Sequence, residues 1–202
     1  MNIRNAVVPI MGHWQRKNKQ NGTRKLWRDL RLICTAETTV LPPQRWKSDW
    51  KALASWLSEE LVAPSSDEPA RVVICGYSYG GGWGAQQLTK YLGIACGDSI
   101  DVWQVLSDPV SRYRFGPLWP LNALNVSRWS GKWRSITLDR CVSRCVYFTQ
   151  AVKPPFGQRV RGIPLHGADV RATAGVNRGH MFMDELPGYH AAASKLVQEL
   201  NA

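Results

Sequence analysis

The sequence predicts an α/β domain, a three-layer sandwich in which helices flank a mainly parallel sheet. Three observations predict it. Apolar runs of strand length alternate with segments of helical periodicity between residues 6 and 200, and such alternation gives parallel strands joined by crossover helices. The run Arg71, Val72, Val73, Ile74, Cys75 passes straight into Gly76-Tyr77-Ser78-Tyr79-Gly80 and then a glycine-rich helical stretch. The motifs that stand out, Ser78 and Asp108 among them, follow strand-like runs. Such a sheet collects its functional residues at the carboxyl ends of its strands. A length of 202 residues suits one domain over 1–202 with a hydrophobic core of its own.

Each element has its own signal. Residues 6–10 read as a first buried strand ending at Met11, Gly12 and His13. Residues 14–31 are basic, with Arg16, Lys17, Lys19, Arg24, Lys25, Arg28 and Arg31 against a single Asp29. The part carrying Asn18, Asn21 and Gly22 reads as a loop, and residues 24–32 as a helix with Leu26, Trp27 and Leu30 on one face. Residues 32–35 read as a short second strand, and Pro42-Pro43 as loop punctuation. Ser48 or Asp49 caps a helix through Leu61, in which Trp50, Leu53, Ala54, Leu57 and Leu61 recur at helical spacing. Turn-rich residues 63–69 lead to the strand at 71–75, and a helix over 79–92 offers Ala85, Leu88, Tyr91 and Leu92 to the sheet. Strands at 100–106 and within 141–148 flank a long segment with Pro117, Pro120 and Gly131. Residues 160–170 read as a weak strand or an irregular excursion, and residues 187–200 as a last helix with Ala191, Ala192, Leu196, Val197 and Leu200 on its apolar side.

Composition narrows the setting. No apolar run approaches a membrane span, and Pro9 interrupts the only apolar stretch near the N-terminus, which is too short for a signal peptide. Five cysteines without a regular framework fit a reducing compartment, so the expected location is the cytoplasm. Cys141 and Cys145 lack a second ligand pair at zinc spacing. The net charge of +11 suits an anionic partner, such as nucleic acid, an anionic lipid surface or an acidic substrate; it equally suits a solvated basic surface, with several of the ten tryptophans packed in the core.

Ser78 stands at the tip of a sharp strand-to-helix turn, where a hydroxyl is presented for attack and the neighbouring glycines let the chain pass closely. A glycine-rich turn without chemistry is the alternative; a phosphate-cradling loop lacks its closing Gly-Lys-Ser/Thr. A serine hydroxyl near neutral pH needs a base, and the base needs an orienting acid. Of His13, His166, His180 and His190, His180 lies in a loop-like stretch just before the last helix and is the preferred base. His166 is secondary, and His190 falls within the helix as a surface or packing residue. Asp108, in an Asp-Pro turn after the strand at 100–106, is the preferred acid. Asp169 is the alternative, and Asp184 reads as a cap for the last helix. An oxyanion hole needs two backbone donors: the amide of Tyr79 and one from the Gly12-His13 turn. Tyr77 and Trp119 are the expected substrate-binding residues.

The order Ser78, Asp108, His180, with Gly76-Tyr77-Ser78-Tyr79-Gly80 between a strand and a glycine-rich helix, resembles the α/β-hydrolase superfamily. Val105-Leu106-Ser107-Asp108-Pro109 is similar to the lipase arrangement in which the acid follows the strand after the nucleophile strand. Met11-Gly12-His13 is similar in position to the lipase oxyanion turn, although no histidine precedes Gly12. The resemblance implies a minimal α/β-hydrolase fold without the two leading strands, of cutinase-like size. It implies a carboxylic ester hydrolase of esterase or lipase type acting through an acyl-serine intermediate, with no metal or organic cofactor and a small-molecule or lipid ester as substrate. Residues 109–140 are where such enzymes place a lid or substrate-binding insertion. Here they carry Arg112, Arg114, Arg128, Lys132 and Arg134 among Tyr113, Phe115, Trp119, Trp129 and Trp133. Basic residues interleaved with aromatics also suit a competing reading, a catalytically silent hydrolase-fold protein that binds nucleic acid or another polyanion.

Overall fold

The apolar and β-branched runs of the chain line up as a parallel sheet, and the helical periodicities form the layers on either side of it. The computed structural model describes residues 3–13, 15, 20–61, 68–110, 135–150, 152, 158–162 and 168–201. In chain order the elements are β1 (Asn5–Met11), α1 (Gly22–Ile33), β2 (Thr38–Val40), β3 (Gln44–Arg45), α2 (Trp50–Leu61), β4 (Ala70–Tyr77), a π-helical turn (Gly80–Gly84) leading into α3 (Ala85–Cys96), β5 (Ile100–Ser107), β6 (Ile136–Thr137), β7 (Val142–Gln150), β8 (Val160–Arg161), β9 (Asp169–Val176), a 3-10 turn (His180–Glu185) and α4 (Pro187–Leu200). The main sheet runs β2-β1-β4-β5-β7-β9, with β3 also pairing β1, and its pairs are parallel. A second small sheet pairs β6 with β8.

Period-two alternation divides the core between the two faces. On one face Ala6, Val8, Ile10, Val72, Ile74 and Val102 pack against Trp50, Ala54 and Leu57 of α2 and Ala85, Leu88 and Leu92 of α3. On the other, Val7, Val73, Cys75, Trp103 and Val105 pack against Leu26 and Leu30 of α1 and Tyr189, Ala193, Leu196 and Val197 of α4. Each such leucine or valine, fully buried, contributes about 1.5–3 kcal/mol. The three layers are therefore as predicted, and α4 has the predicted bounds.

Three local expectations change. Residues 32–35 do not form a strand. The buried stripe of Leu26 and Leu30 continues to the half-buried Ile33, so α1 runs on to that residue and turns Leu32 outward, 85% exposed. The second strand forms later, at Thr38–Val40, where three β-branched residues pair with Asn5, Ala6 and Val7. The stretch 160–170 divides into the short β8 and the start of β9. β9 is mostly exposed and carries small residues, so its sequence shows little alternation; its pairing with β7 makes it a strand.

The order of the sheet also locates the site. From β1 the chain moves through α1 to β2 on one side, whereas from β4 it moves through α3 to β5 on the other. The carboxyl ends of β1 and β4 are thus a topological switch point, where open parallel sheets form their binding crevice. Gly12 and His13 leave β1 there, and Ser78 follows β4.

Candidate active site

Ser78 and Asp108 are the only non-glycine residues with positive φ among the described residues, at 52° and 45°. A side chain in that region costs about 1–3 kcal/mol, persists only where the surroundings fix it, and is concentrated at functional sites. The surroundings here do fix it. The Ser78 amide donates to Ser107 O at 3.0 Å, and the Ser78 carbonyl accepts from Gly81, Gly82 and Val110 at 3.1, 2.9 and 2.9 Å. The Asp108 amide donates to Phe148 O at 2.7 Å. The glycines flanking Ser78 allow the close passage that the turn requires. A Cβ on Gly76 would lie 2.5 Å from the Cα of Gly81, and one on Gly80 would lie 2.5 Å from the carbonyl oxygen of Ile10.

The turn delivers Ser78 Oγ to within 2.9 Å of His180 Nε2, and His180 Nδ1 lies 2.5 Å from Asp108 Oδ2. A carboxylate only accepts, so the proton sits on Nδ1, and Nε2 is left to accept from the serine hydroxyl. The other Asp108 oxygen accepts from the Gln150 amide at 3.2 Å. Ser78, His180 and Asp108 are 4%, 8% and 0% exposed, so the relay is shielded from bulk water, in an interior where hydrogen bonds to charge are stronger than in solvent. Residues distant in the chain are thus brought together in the order hydroxyl, imidazole, carboxylate.

The turn carrying His180 is held from beneath. Tyr77, expected at the substrate, is 4% exposed, and its hydroxyl donates to the carbonyl of His180 at 2.7 Å. Burial, with Asp184 and Asp108 nearby, pushes its phenol well above the usual range, so it stays a neutral donor. The Ser107 hydroxyl donates to Met183 O at 2.6 Å. Sequence reasoning placed Tyr77 beside the substrate from its position next to Ser78; the alternation of β4 instead directs it into the layer of α1 and α4.

On the other side of Ser78 stands the turn after β1. A Cβ on Gly12 would lie 2.8 Å from the Tyr77 ring and 3.1 Å from the Cβ of Ser78, so the two turns are in contact. The rings of His13, Trp46 and Tyr79 gather there, with centroids 5.1–5.6 Å apart. The Gly12 amide donates to Gln15 Oε1 at 2.9 Å. Gln15 also accepts from the Thr23 hydroxyl at 2.9 Å and donates through Nε2 to Asp184 Oδ2.

Asp184 does not cap α4, as its position had suggested. Its Oδ2 accepts from the amide of Gly22 at 2.7 Å, at the start of α1. The N-terminal end of a helix favours a carboxylate. Burial nonetheless moves the Asp184 carboxyl upward, against the pull of the Gly22 and Thr23 amides. Pro187 begins α4 instead, with its fixed φ at the first helical turn.

No protein-family model matches this chain, and no curated protein matches it.

The remaining candidates fall elsewhere. Asp169 is on exposed β9 and pairs with Arg171 at 2.8 Å. His190 lies in α4, with Nε2 donating to the carbonyl of Asp184 at 2.7 Å, a packing role. His166, Trp119 and the basic aromatic positions 112–134 lie outside the described residues. Among the described residues no cluster of His, Cys, Asp and Glu has metal-binding geometry, and no helix is long and apolar enough to cross a membrane. Gln15 is the member of the site that sequence reasoning missed. It stands among basic residues in the sequence, and nothing in the local pattern marks it from its neighbours.

Proposed function

We propose that this chain is a serine hydrolase of the α/β-hydrolase type, cleaving carboxylic esters through an acyl-serine intermediate. The observation that carries the reading is the relay Ser78–His180–Asp108 with both of its acidic-side and nucleophile turns at positive φ. Backbone strain at the two residues that serve as nucleophile and acid, and nowhere else among the described non-glycine residues, is strain placed where chemistry uses it.

The geometry supports the following steps. His180 Nε2 takes the hydroxyl proton as Ser78 Oγ bonds to the ester carbonyl carbon, and the carbonyl π electrons move to oxygen. Asp108 holds the imidazole in its tautomer and stabilises the imidazolium that forms. The amide of Tyr79 and the amide of His13 receive the oxyanion. His13 is preferred to Gly12 as the second donor because the Gly12 amide is directed at Gln15. Collapse expels the alcohol, which takes the proton from His180. Water then attacks the acyl-serine with His180 again acting as base; collapse breaks the bond between Ser78 Oγ and the acyl carbon, Ser78 Oγ takes the proton back from His180, and the carboxylic acid leaves. Met181 and Phe182, 61% and 57% exposed and adjacent to His180 in sequence, are the apolar side chains we assign to the acyl chain.

The test is turnover of p-nitrophenyl acetate, butyrate and octanoate. Ser78→Ala is expected to lower kcat by about 10⁴-fold or more. A wild-type protein inert on all three esters, or a Ser78→Ala variant with undiminished turnover, would overturn the reading.

A further inference from the structure

We propose that Gln15 and Asp184 form a positioning pair that sets the Gly12-His13 turn against Ser78, an inference that rests on the hydrolase reading above. The proposed chemistry leaves Asp184 unused, yet it is a carboxylate 3% exposed in a chain segment that also carries His180. Its Oδ2 accepts from the Gly22 amide at 2.7 Å and from Gln15 Nε2. Gln15 in turn accepts from the Gly12 amide and from the Thr23 hydroxyl, both at 2.9 Å. One side-chain amide therefore joins the exit of β1, the first turn of α1 and the turn that bears the base.

The orientation of Gln15 follows from its partners. Gly12 N–H and the Thr23 hydroxyl both need an acceptor, and the carboxylate of Asp184 needs a donor. The Gly12 turn touches the nucleophile, since a Cβ at Gly12 would lie 3.1 Å from the Ser78 Cβ. Any rotation of the turn moves the amide of His13 relative to Ser78. Oxyanion donors act over distances of about 2.7–3.1 Å, and misplacement by about 1 Å costs about 10²-fold in rate. A pair that fixes the turn thus acts on the transition state more than on the bound ester.

The experiment measures kcat and KM on p-nitrophenyl butyrate, together with inhibition by a trifluoromethyl ketone that forms a tetrahedral adduct on a serine. Gln15→Ala is expected to lower kcat about 10²-fold with KM changed only a few-fold, and to weaken the ketone by a similar factor. Gln15→Glu, which places two carboxylates together, is expected to behave at least as badly. Gln15→Met, which keeps the side chain's length without its hydrogen bonds, and Asp184→Ala, which removes the acceptor of Gln15 Nε2, are each expected to lose about as much as Gln15→Ala, with KM changed only a few-fold. Gln15→Ala with wild-type kcat and ketone affinity would overturn the proposal while leaving the hydrolase reading intact. So would wild-type kcat and ketone affinity in a folded Gln15→Met or Asp184→Ala variant, and Gln15→Met decides the matter if Gln15→Ala does not fold. Wild-type protein that neither turns over the ester nor binds the ketone would overturn the hydrolase reading itself, and the proposal with it.

Discussion

Asp108→Asn is expected to lower kcat about 10⁴-fold, the loss that follows when the orienting acid of a serine–histidine pair becomes an amide, and to leave the fold intact. The carboxylate is fully buried and accepts a hydrogen bond from Nδ1–H of His180 at 2.5 Å. Asparagine has the same shape and tolerates the 45° φ of this position better than most residues. Its carbonyl oxygen can keep the bond from the Gln150 amide, 3.2 Å away in the wild type. Its NH2 group then faces His180 Nδ1, donates to it, and forces the proton onto Nε2. In that tautomer the imidazole cannot take the proton of Ser78. The measurement is kcat on p-nitrophenyl butyrate alongside thermal unfolding. Turnover within about tenfold of wild type in a folded variant would show that Asp108 is not the orienting acid, since the tautomer switch predicts a far larger loss.

Gly80→Ala is expected to destabilise the protein by about 3 kcal/mol or more. The added Cβ would lie 2.5 Å from Ile10 O, 2.7 Å from Met11 O and 2.9 Å from Ile10 C. These are backbone atoms of β1, which pairs with β2, β3 and β4, so the clash is relieved only by separating the π-helical turn from the sheet or by breaking strand pairing. Gly179→Ala supplies the control: φ is −66° and nothing lies within 4 Å of the added atom. Its expected effect is within about 0.5 kcal/mol, as for other unencumbered surface changes. Urea unfolding of both variants checks the pair. A Gly80→Ala protein as stable as the control would mean that the turn does not need its close approach to β1.

The fold was legible wherever burial imposed a period. β4 read clearly because its core, residues 72–75, is a continuous apolar run, β5 because Val102, Trp103, Val105 and Leu106 are interrupted only by Gln104, and α2 and α4 because their buried residues recur at helical spacing. β9 was obscure because Ala172, Thr173, Ala174 and Gly175 are exposed and small, and a strand held only by its neighbour leaves no alternation to read. The false strand at 32–35 came from reading Leu32 and Ile33 as an apolar run, when only Ile33 continues the helical stripe.

The site divides in the same way. Ser78, Asp108 and His180 were legible because each has a local signal: a glycine-flanked turn, an Asp-Pro after a strand, a histidine before a terminal helix. Gln15, Tyr77 and Asp184 act through partners far away in sequence. Gln15 meets Asp184 across 169 residues and Tyr77 meets the His180 carbonyl across 103, and no local pattern encodes such pairings. Asp184 was misassigned for that reason. A carboxylate shortly before a helix suggests a cap for that helix, whereas the tertiary fold brings it to the start of α1.

The most direct test of the central claim is reaction of the purified protein with a fluorophosphonate probe, followed by mapping of the modified residue by mass spectrometry. The relay of Ser78, His180 and Asp108 predicts a single adduct on Ser78 Oγ, absent in Ser78→Ala and strongly slowed in Asp108→Asn. A folded wild-type protein that takes no label, or takes it on another residue, would contradict the assignment of Ser78 as an activated nucleophile.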